Sequence, residues 1–161
     1  MVYRIIGIDP GIVHTGVVML DFEEITRTRG VGYQVFNGVS HTTLDNLSTT
    51  VNKMIPTAVF IEGYRTRSNF MHDNEMVAAV SELKRLISNS TVLDNTGVTK
   101  VILPDLMKAL GCWNFGQSTH HQDLRSAARI ALLGMVKDEK LNRVLTDVIT
   151  SHIDGHPWSV V

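Results

Sequence analysis

The chain has 161 residues, of which 43% are hydrophobic and 19% are charged, and its formal net charge is −1. These values are typical of one globular domain over 1–161, and they exclude a disordered, collagen-like or strongly basic protein. No apolar run approaches the roughly 20 residues of a membrane-spanning helix. Because Cys112 is the only cysteine and no signal peptide is evident, we expect a soluble protein of a reducing cytoplasm with no membrane partner.

Hydrophobic periodicity and turn residues predict three consecutive strands in the first part of the chain. These strands are 2–9, 14–21 and 29–37. Their connections are short, which favours an antiparallel meander. A helix over 43–54 follows, is ended by Pro56, and leads into a short apolar strand that ends at Glu62.

The rest of the chain is predicted to be mainly helical, with one more strand. The predicted elements are a polar loop over 63–71, a helix over 72–88, a strand over 99–103, a short helix over 104–111, a helix over 120–135 with a capping box at Thr119 and Gln122, and a helix over 138–149. A meander followed by crossover connections predicts an α/β fold. Its sheet would be mixed, with three antiparallel strands plus parallel strands, flanked by helices.

Three acidic residues occupy positions that favour burial. Asp9 and Glu62 each end an apolar strand, and Asp123 lies in a first helical turn beside an alanine-rich packing stripe. Each acid alone also fits an ordinary turn or helix-start role. Together, converging carboxylates would repel one another and need a compensating cation. Oxygen ligands suit Mg²⁺, with Mn²⁺ as a substitute, and two such ions ~3.5–4 Å apart can hydrolyse a phosphodiester.

The same residues carry a resemblance to a known family. The stretch Ile6-Gly7-Ile8-Asp9-Pro10-Gly11, followed by Thr15-Gly16, resembles the first motif of RuvC-type Holliday-junction resolvases, which belong to the RNase H-like nuclease superfamily. Val59-Phe60-Ile61-Glu62 is similar to the second motif, and His120-His121-Gln122-Asp123 to the last. The order and spacing of the three motifs carry the resemblance over about residues 4–134.

The resemblance implies an RNase H-like fold and a homodimeric, Mg²⁺-dependent endonuclease. Its substrate would be branched DNA, with four-way junctions first and forks and flaps as further candidates. Asp9, Glu62 and Asp123 would be the catalytic metal ligands. Short members of this group are common in bacteriophages, in which case the host cytoplasm is the expected location.

This sequence departs from the bacterial pattern in its last motif. Bacterial members usually carry two acids three residues apart, whereas this chain has one, Asp123. If Asp123 is the later acid, His120 occupies the earlier position; if it is the earlier acid, Ser126 occupies the later one. We prefer the first alignment, in which His120 is a metal ligand or a proton carrier. A helix-cap or surface role is the alternative for His120.

Further residues are candidate DNA contacts. A loop that leaves a catalytic strand can touch the DNA backbone and insert a ring between bases, and arginines four residues apart can form a phosphate-binding strip. The candidates are Tyr64, Arg65, Arg67, Asn69, Phe70, Lys100, Lys108, Arg125 and Arg129. Ordinary surface or packing roles are the alternative. The broad apolar stripe of the helix over 72–88 is a candidate two-fold dimer interface.

Two other functions fit parts of the sequence. An actin-like ATPase also begins with a strand, an acid, a glycine and threonines, but such proteins need two domains and are far longer. A non-catalytic branched-DNA-binding module of the same fold would explain the single acid of the last motif. Nucleotide binding would identify the first function, and junction binding without cleavage would identify the second.

Overall fold

The structure, a computed structural model, describes residues 1–25, 27–64 and 71–153. Within them the chain forms a five-stranded sheet in the spatial order β3-β2-β1-β4-β5. The strands are β1 (Val2–Asp9), β2 (His14–Glu23), β3 (Arg27–Asn37), β4 (Ala58–Glu62) and β5 (Ser90–Leu93). Antiparallel pairing joins β1 to β2 and β2 to β3, whereas β4 is parallel to β1 and β5 is parallel to β4. The predicted α/β fold, a meander extended by parallel strands, is confirmed.

Helices cover both faces of this sheet. They are α1 (His41–Lys53), α2 (Met71–Leu86), α3 (Val98–Val101), α4 (Pro104–Ala109), α5 (His121–Lys137) and α6 (Glu139–Ile153). Ser40 caps α1, because its hydroxyl accepts a hydrogen bond from the backbone N–H of Thr43 at 3.3 Å. Among the described residues, no helix is both long and apolar enough to cross a membrane.

Strand alternation divides the apolar residues of the sheet between two layers. Ile6 and Ile8 of β1 pack in a cluster with residues of α1 and α2, whereas Ile5 packs in a second cluster with α5 and α6. The predicted stripe of α5 is confirmed, since every one of its members is fully buried. These members are Leu124, Ala127, Ala128, Ala131, Leu132 and Met135. Burial of each large member stabilises the fold by roughly 1.5–3 kcal/mol.

Glycines allow α5 to lie unusually close to the sheet. A Cβ atom on Gly7 would lie 1.9 Å from the carbonyl oxygen of Ala127, and one on Gly16 would lie 2.8 Å from that of Asp123. On the helix itself, a Cβ on Gly134 would lie 2.3 Å from the Phe60 ring. The absence of side chains at these positions therefore sets the height of α5, and with it the position of Asp123, above the strands.

Two element predictions are wrong. The segment 99–103 is not a strand, because Gly97 adopts a left-handed conformation (φ 73°) and starts α3; the fifth strand is Ser90–Leu93. A short run of apolar and β-branched residues fits either element, and local periodicity does not distinguish them. The predicted capping box at Thr119 is also wrong, because the N-cap of α5 is His120, which makes no side-chain capping bond. The bounds of the other predicted helices and strands agree within a few residues, whereas most of the predicted polar loop over 63–71 lies outside the described residues.

Candidate active site

Asp9 and Glu62 lie side by side at the carboxyl ends of two neighbouring parallel strands. Ile8 pairs with Ile61 in the ladder between β1 and β4, so the following residue of each strand ends it at the same edge of the sheet. Because Ile8 and Ile61 pack in the cluster with α1 and α2, strand alternation directs both acids to the opposite face, which α5 covers.

Asp123 reaches the same edge from the first turn of α5. Its Cβ lies 3.4 Å from the position that a Cβ on Gly16 would take, and Gly16 is the ladder partner of Asp9. The structure therefore brings the three acids predicted from the sequence to one edge of the sheet. The close approach of α5 to β2 is what brings them together.

The proximity of the acids changes the chemistry of Asp9. Burial first, then a hydrogen bond with Glu62 and the negative charges of Glu62 and Asp123, raise the pKa of Asp9 to about 9. In the metal-free protein the Asp9 carboxyl group therefore keeps its proton at neutral pH. A divalent cation would supply the positive charge that this proton now supplies, and the oxygen-rich donor set suits Mg²⁺.

The carboxylates of Glu62 and Asp123 each have another partner as well. The side-chain amide of Asn95 donates a hydrogen bond to Oε1 of Glu62. Oδ2 of Asp123 lies 3.7 Å from Nδ1 of His120. In the part of the chain that the structure describes, no three His, Cys, Asp or Glu side chains are gathered in the arrangement of a finished metal site.

His120 lies between Asp123 and a residue that the sequence did not single out, His14. The centroids of the two imidazole rings are 4.2 Å apart, with an interplanar angle of 61°. Nδ1 of His14 is buried and has no hydrogen-bond partner among the described residues. The neighbouring His121 has a different role, since its Nδ1 accepts a hydrogen bond from the backbone N–H of Phe115 at 3.1 Å and so fixes the chain before α5.

The turn that follows Asp9 is held by Thr15, which is fully buried. The Thr15 hydroxyl accepts a hydrogen bond from the N–H of Gly11 at 3.3 Å and donates one to the carbonyl of Gly38 at 3.1 Å. The threonine and glycine of the first motif thus have separate structural roles: Thr15 holds the turn, and Gly16 admits α5.

A cleft of about 190 Å³ opens beside the acids. Its lining residues are Glu62, Asn95, Val98, Thr99, Gln122, Ser126, Arg129 and Ile130. Ser126, the alternative fourth group, therefore shares this cleft with Glu62, whereas His120 contacts Asp123. Both candidates for the fourth position lie near predicted metal ligands.

The candidate DNA contacts are distributed over several places. Tyr64 follows β4 and is 38% exposed, and its hydroxyl donates a hydrogen bond to Asp73 of α2. Lys100 is exposed on α3. Lys108 of α4 and the two arginines of α5 converge on Trp113. Four candidates lie outside the described residues: Arg65, Arg67, Asn69 and Phe70.

Sequence reasoning missed His14, Asn95 and Trp113. His14 alternates along β2 with Gly16 and Val18, which is a signal that its side chain faces α5. Asn95 and Trp113 lie in loops, where periodicity carries no information about which side chains meet.

Solved structures of Holliday-junction resolvases share this fold. Thermus thermophilus RuvC in complex with a Holliday junction substrate is 20% identical, with a TM-score of 0.57 over 82% of this chain and 90% of that chain. The yeast mitochondrial Holliday junction resolvase Ydc2 is 17% identical, with a TM-score of 0.56 over 92% and 84%. The fowlpox virus Holliday junction resolvase is 11% identical, with a TM-score of 0.52 over 86% and 100%.

At these identities the likeness establishes the fold, and the predicted RNase H-like, resolvase-type architecture is confirmed. No protein-family model matches the sequence, and no curated protein matches it either.

Proposed function

We propose that this chain is a divalent-metal-dependent endonuclease that cuts branched DNA, in particular four-way junctions, as a homodimer. The observation that carries the proposal is the meeting of Asp9, Glu62 and Asp123 at one edge of a resolvase-type sheet, where burial and like charge raise the pKa of Asp9 to about 9. Such a site favours a bound cation and therefore supports metal-assisted hydrolysis.

In this proposal Asp9, Glu62 and Asp123 hold Mg²⁺, for which Mn²⁺ can substitute. Bound by these three carboxylates, divalent ions would supply activation of a water molecule and stabilisation of the leaving oxygen of the phosphodiester. Asn95 orients Glu62 through its hydrogen bond. His120, next to Asp123, completes the ligand set or transfers a proton to the leaving group.

DNA binding is proposed for the loop after β4 and for the basic residues near the cleft. The loop would supply Tyr64, Arg65, Arg67, Asn69 and Phe70, and the helices would supply Lys100, Lys108, Arg125 and Arg129. Carboxylates that hold cations do not repel the phosphate backbone, so a net charge of −1 is compatible with this role.

Paired cuts need two active sites that face opposite strands. The apolar stripe predicted as the two-fold interface is buried in the core at Met76, Val80 and Leu83, so we propose the interface on the outer side of α2, where Val77 is 42% exposed. A symmetric contact there would bury the same surface on both subunits.

The first experiment incubates the protein with a labelled four-way junction in Mg²⁺, Mn²⁺ or EDTA, with forks, flaps and linear duplex in parallel. We expect two symmetric nicks in the junction with either metal, none in EDTA, little cleavage of duplex, and a dimer by light scattering. Junction binding without cleavage in either metal would instead identify a binding module. ATP binding without DNA binding would favour the actin-like alternative.

A second prediction separates the two candidates for the fourth metal-binding position. His120→Ala is expected to lower kcat by roughly 10- to 100-fold and to weaken the apparent Mg²⁺ affinity, because loss of a ligand or its orienting partner has effects of that size. The kcat of Ser126→Ala should remain within about threefold of the wild-type value. Cleavage rates measured over a Mg²⁺ titration test this, and a larger effect of Ser126→Ala would reverse the assignment.

A further inference from the structure

Three cationic side chains converge on one half-buried tryptophan, Trp113, in the loop between α4 and α5. The guanidinium carbon of Arg125 lies 4.0 Å from the ring centroid, Nζ of Lys108 lies 5.1 Å from it, and the guanidinium carbon of Arg129 lies 5.9 Å from it. We refer to these four residues as the Trp113 cluster. Attraction between cations and the indole ring contributes to holding them together.

The cluster is also held by hydrogen bonds. Nε of Arg125 donates to the backbone carbonyl of Trp113 at 2.7 Å, and a terminal nitrogen of Arg125 donates to Oδ1 of Asn114 at 3.4 Å. Arg125 therefore fixes the loop against α5 and covers part of the ring. Its position is set by the protein before any ligand binds.

Among the residues that the structure describes, Lys108, Arg125 and Arg129 form no ion pair with a carboxylate. The arginine ion pairs of these described residues involve Arg4, Arg27, Arg29, Arg85 and Arg143. Like charges held close together repel one another, so three unpaired cations around one ring favour binding of an anion. The Nε atom of Arg129 is buried and has no hydrogen-bond partner within 1–25, 27–64 and 71–153, which adds an unsatisfied donor to the same cluster.

Arg129 connects the cluster to the candidate active site. Its side chain lines the cleft that also contains Glu62 and Ser126, while its guanidinium faces Trp113. An extended anion with regularly spaced charges could therefore contact both places at once. A phosphodiester backbone has this property, because each nucleotide of a strand carries one negative charge.

We infer that the Trp113 cluster binds backbone phosphates of the DNA strand that enters the cleft beside Glu62, and that Trp113 positions the cations that make these contacts. This inference rests on the proposed function and specifies how its substrate is held. Because Arg125 stacks on the ring, Trp113 acts by arranging Lys108, Arg125 and Arg129, and base stacking is not its role.

The test measures junction binding in EDTA, so that cleavage does not interfere, at a series of salt concentrations. In the double variant Lys108→Gln/Arg129→Gln, the slope of log affinity against log salt is expected to fall by about two, since each phosphate contact contributes roughly one unit. The matched control, Lys53→Gln/Lys137→Gln, removes the same charge from exposed positions outside the cluster. Its slope should stay near that of wild type.

Trp113 itself is tested by two substitutions. Trp113→Leu should lower the salt slope by at least one, because it removes the aromatic face that holds the cations. Trp113→Phe keeps an aromatic ring and should retain most of the wild-type slope. Circular dichroism reports whether each variant folds. A second measurement does not depend on these variants. In a Trp158→Phe background Trp113 is the only tryptophan of the sequence. Its fluorescence emission should change on junction binding, and the junction concentration that gives half of this change should equal the Kd from the binding measurement.

The results separate this inference from the proposed function. If wild-type protein neither binds nor cuts branched DNA, both are wrong. If the wild type cuts junctions but the Lys108→Gln/Arg129→Gln variant keeps the wild-type salt slope, or Trp113 emission does not respond to saturating junction, the proposed function stands and this inference is overturned.

Discussion

Replacing Asp9 by asparagine is expected to lower the rate of junction cleavage by about a thousandfold or more. An asparagine side chain has nearly the same shape but carries no negative charge, and metal-ion stabilisation of the transition state is worth several kcal/mol, with each 1.36 kcal/mol equal to about tenfold in rate. Single-turnover cleavage of a labelled four-way junction in Mg²⁺ measures the effect.

The same substitution is expected to stabilise the metal-free protein at pH 8. The pKa of Asp9 rises from 3.8 to about 9 on folding, so between these values the folded state holds a proton that the unfolded state has lost. The contribution of Asp9 to stability is therefore fully present below about pH 4 and is lost as pH rises towards 9. An asparagine side chain has no such proton to lose, so the Tm of the metal-free variant should exceed that of the wild type at pH 8. Each kcal/mol gained in the free energy of unfolding raises Tm by roughly 2–4 °C in a domain of this size.

The control for both measurements is Asp147→Asn, which removes a carboxylate from an exposed position on α6. It should change neither the cleavage rate nor the pH dependence of Tm. Full nicking by Asp9→Asn would remove Asp9 from the mechanism. A lower Tm of the metal-free Asp9→Asn protein at pH 8 would contradict the stability prediction, since it would mean that the Asp9 carboxyl group stabilises the fold at that pH.

The fold could be predicted from the sequence where pattern and turn signals agree. In β1, an apolar run with a terminal acid before Pro10 and Gly11 indicated both the strand and its end. In β5, four residues with Thr91 and Val92 exposed at the sheet edge have too little periodicity to be recognised, and the equally apolar segment over 99–103 was assigned in its place. Whether a short segment forms a strand or a helix depends on its tertiary contacts, and the local sequence pattern carries no information about these contacts.

The acids could be predicted because a carboxylate at the end of a buried strand is itself unusual in sequence. The alanines of α5 are only half of the reason that this helix lies so close to the sheet. Gly7 and Gly16 of the strands supply the other half, and their part depends on strand register, which becomes visible only in the folded chain. The Trp113 cluster depends in the same way on loop geometry.

The second large effect is therefore expected at Gly16. Gly16→Ala would place a Cβ 2.8 Å from the carbonyl oxygen of Asp123, which is backbone and cannot turn aside. The start of α5 must move, and Asp123 moves with it relative to Asp9. Displacement of a catalytic group by about 1 Å can cost roughly 100-fold in rate, while overpacking of this kind costs about 1–3 kcal/mol in stability.

Gly32→Ala is the matched control, because its Cβ would meet only the side chain of Met19, whose terminal methyl group lies nearest, at 3.0 Å, and that flexible end can shift. Its cleavage rate should be close to wild type, with a small change in Tm.

Measuring kcat and Tm for both variants distinguishes a displaced Asp123, which lowers kcat, from a general loss of stability, which lowers Tm. If Gly16→Ala and Gly32→Ala lower the cleavage rate equally when each is measured at a temperature where it is fully folded, the position of Asp123 does not depend on Gly16. If only Gly16→Ala is impaired while it remains folded, close packing of α5 on β2 sets the spacing of the catalytic acids.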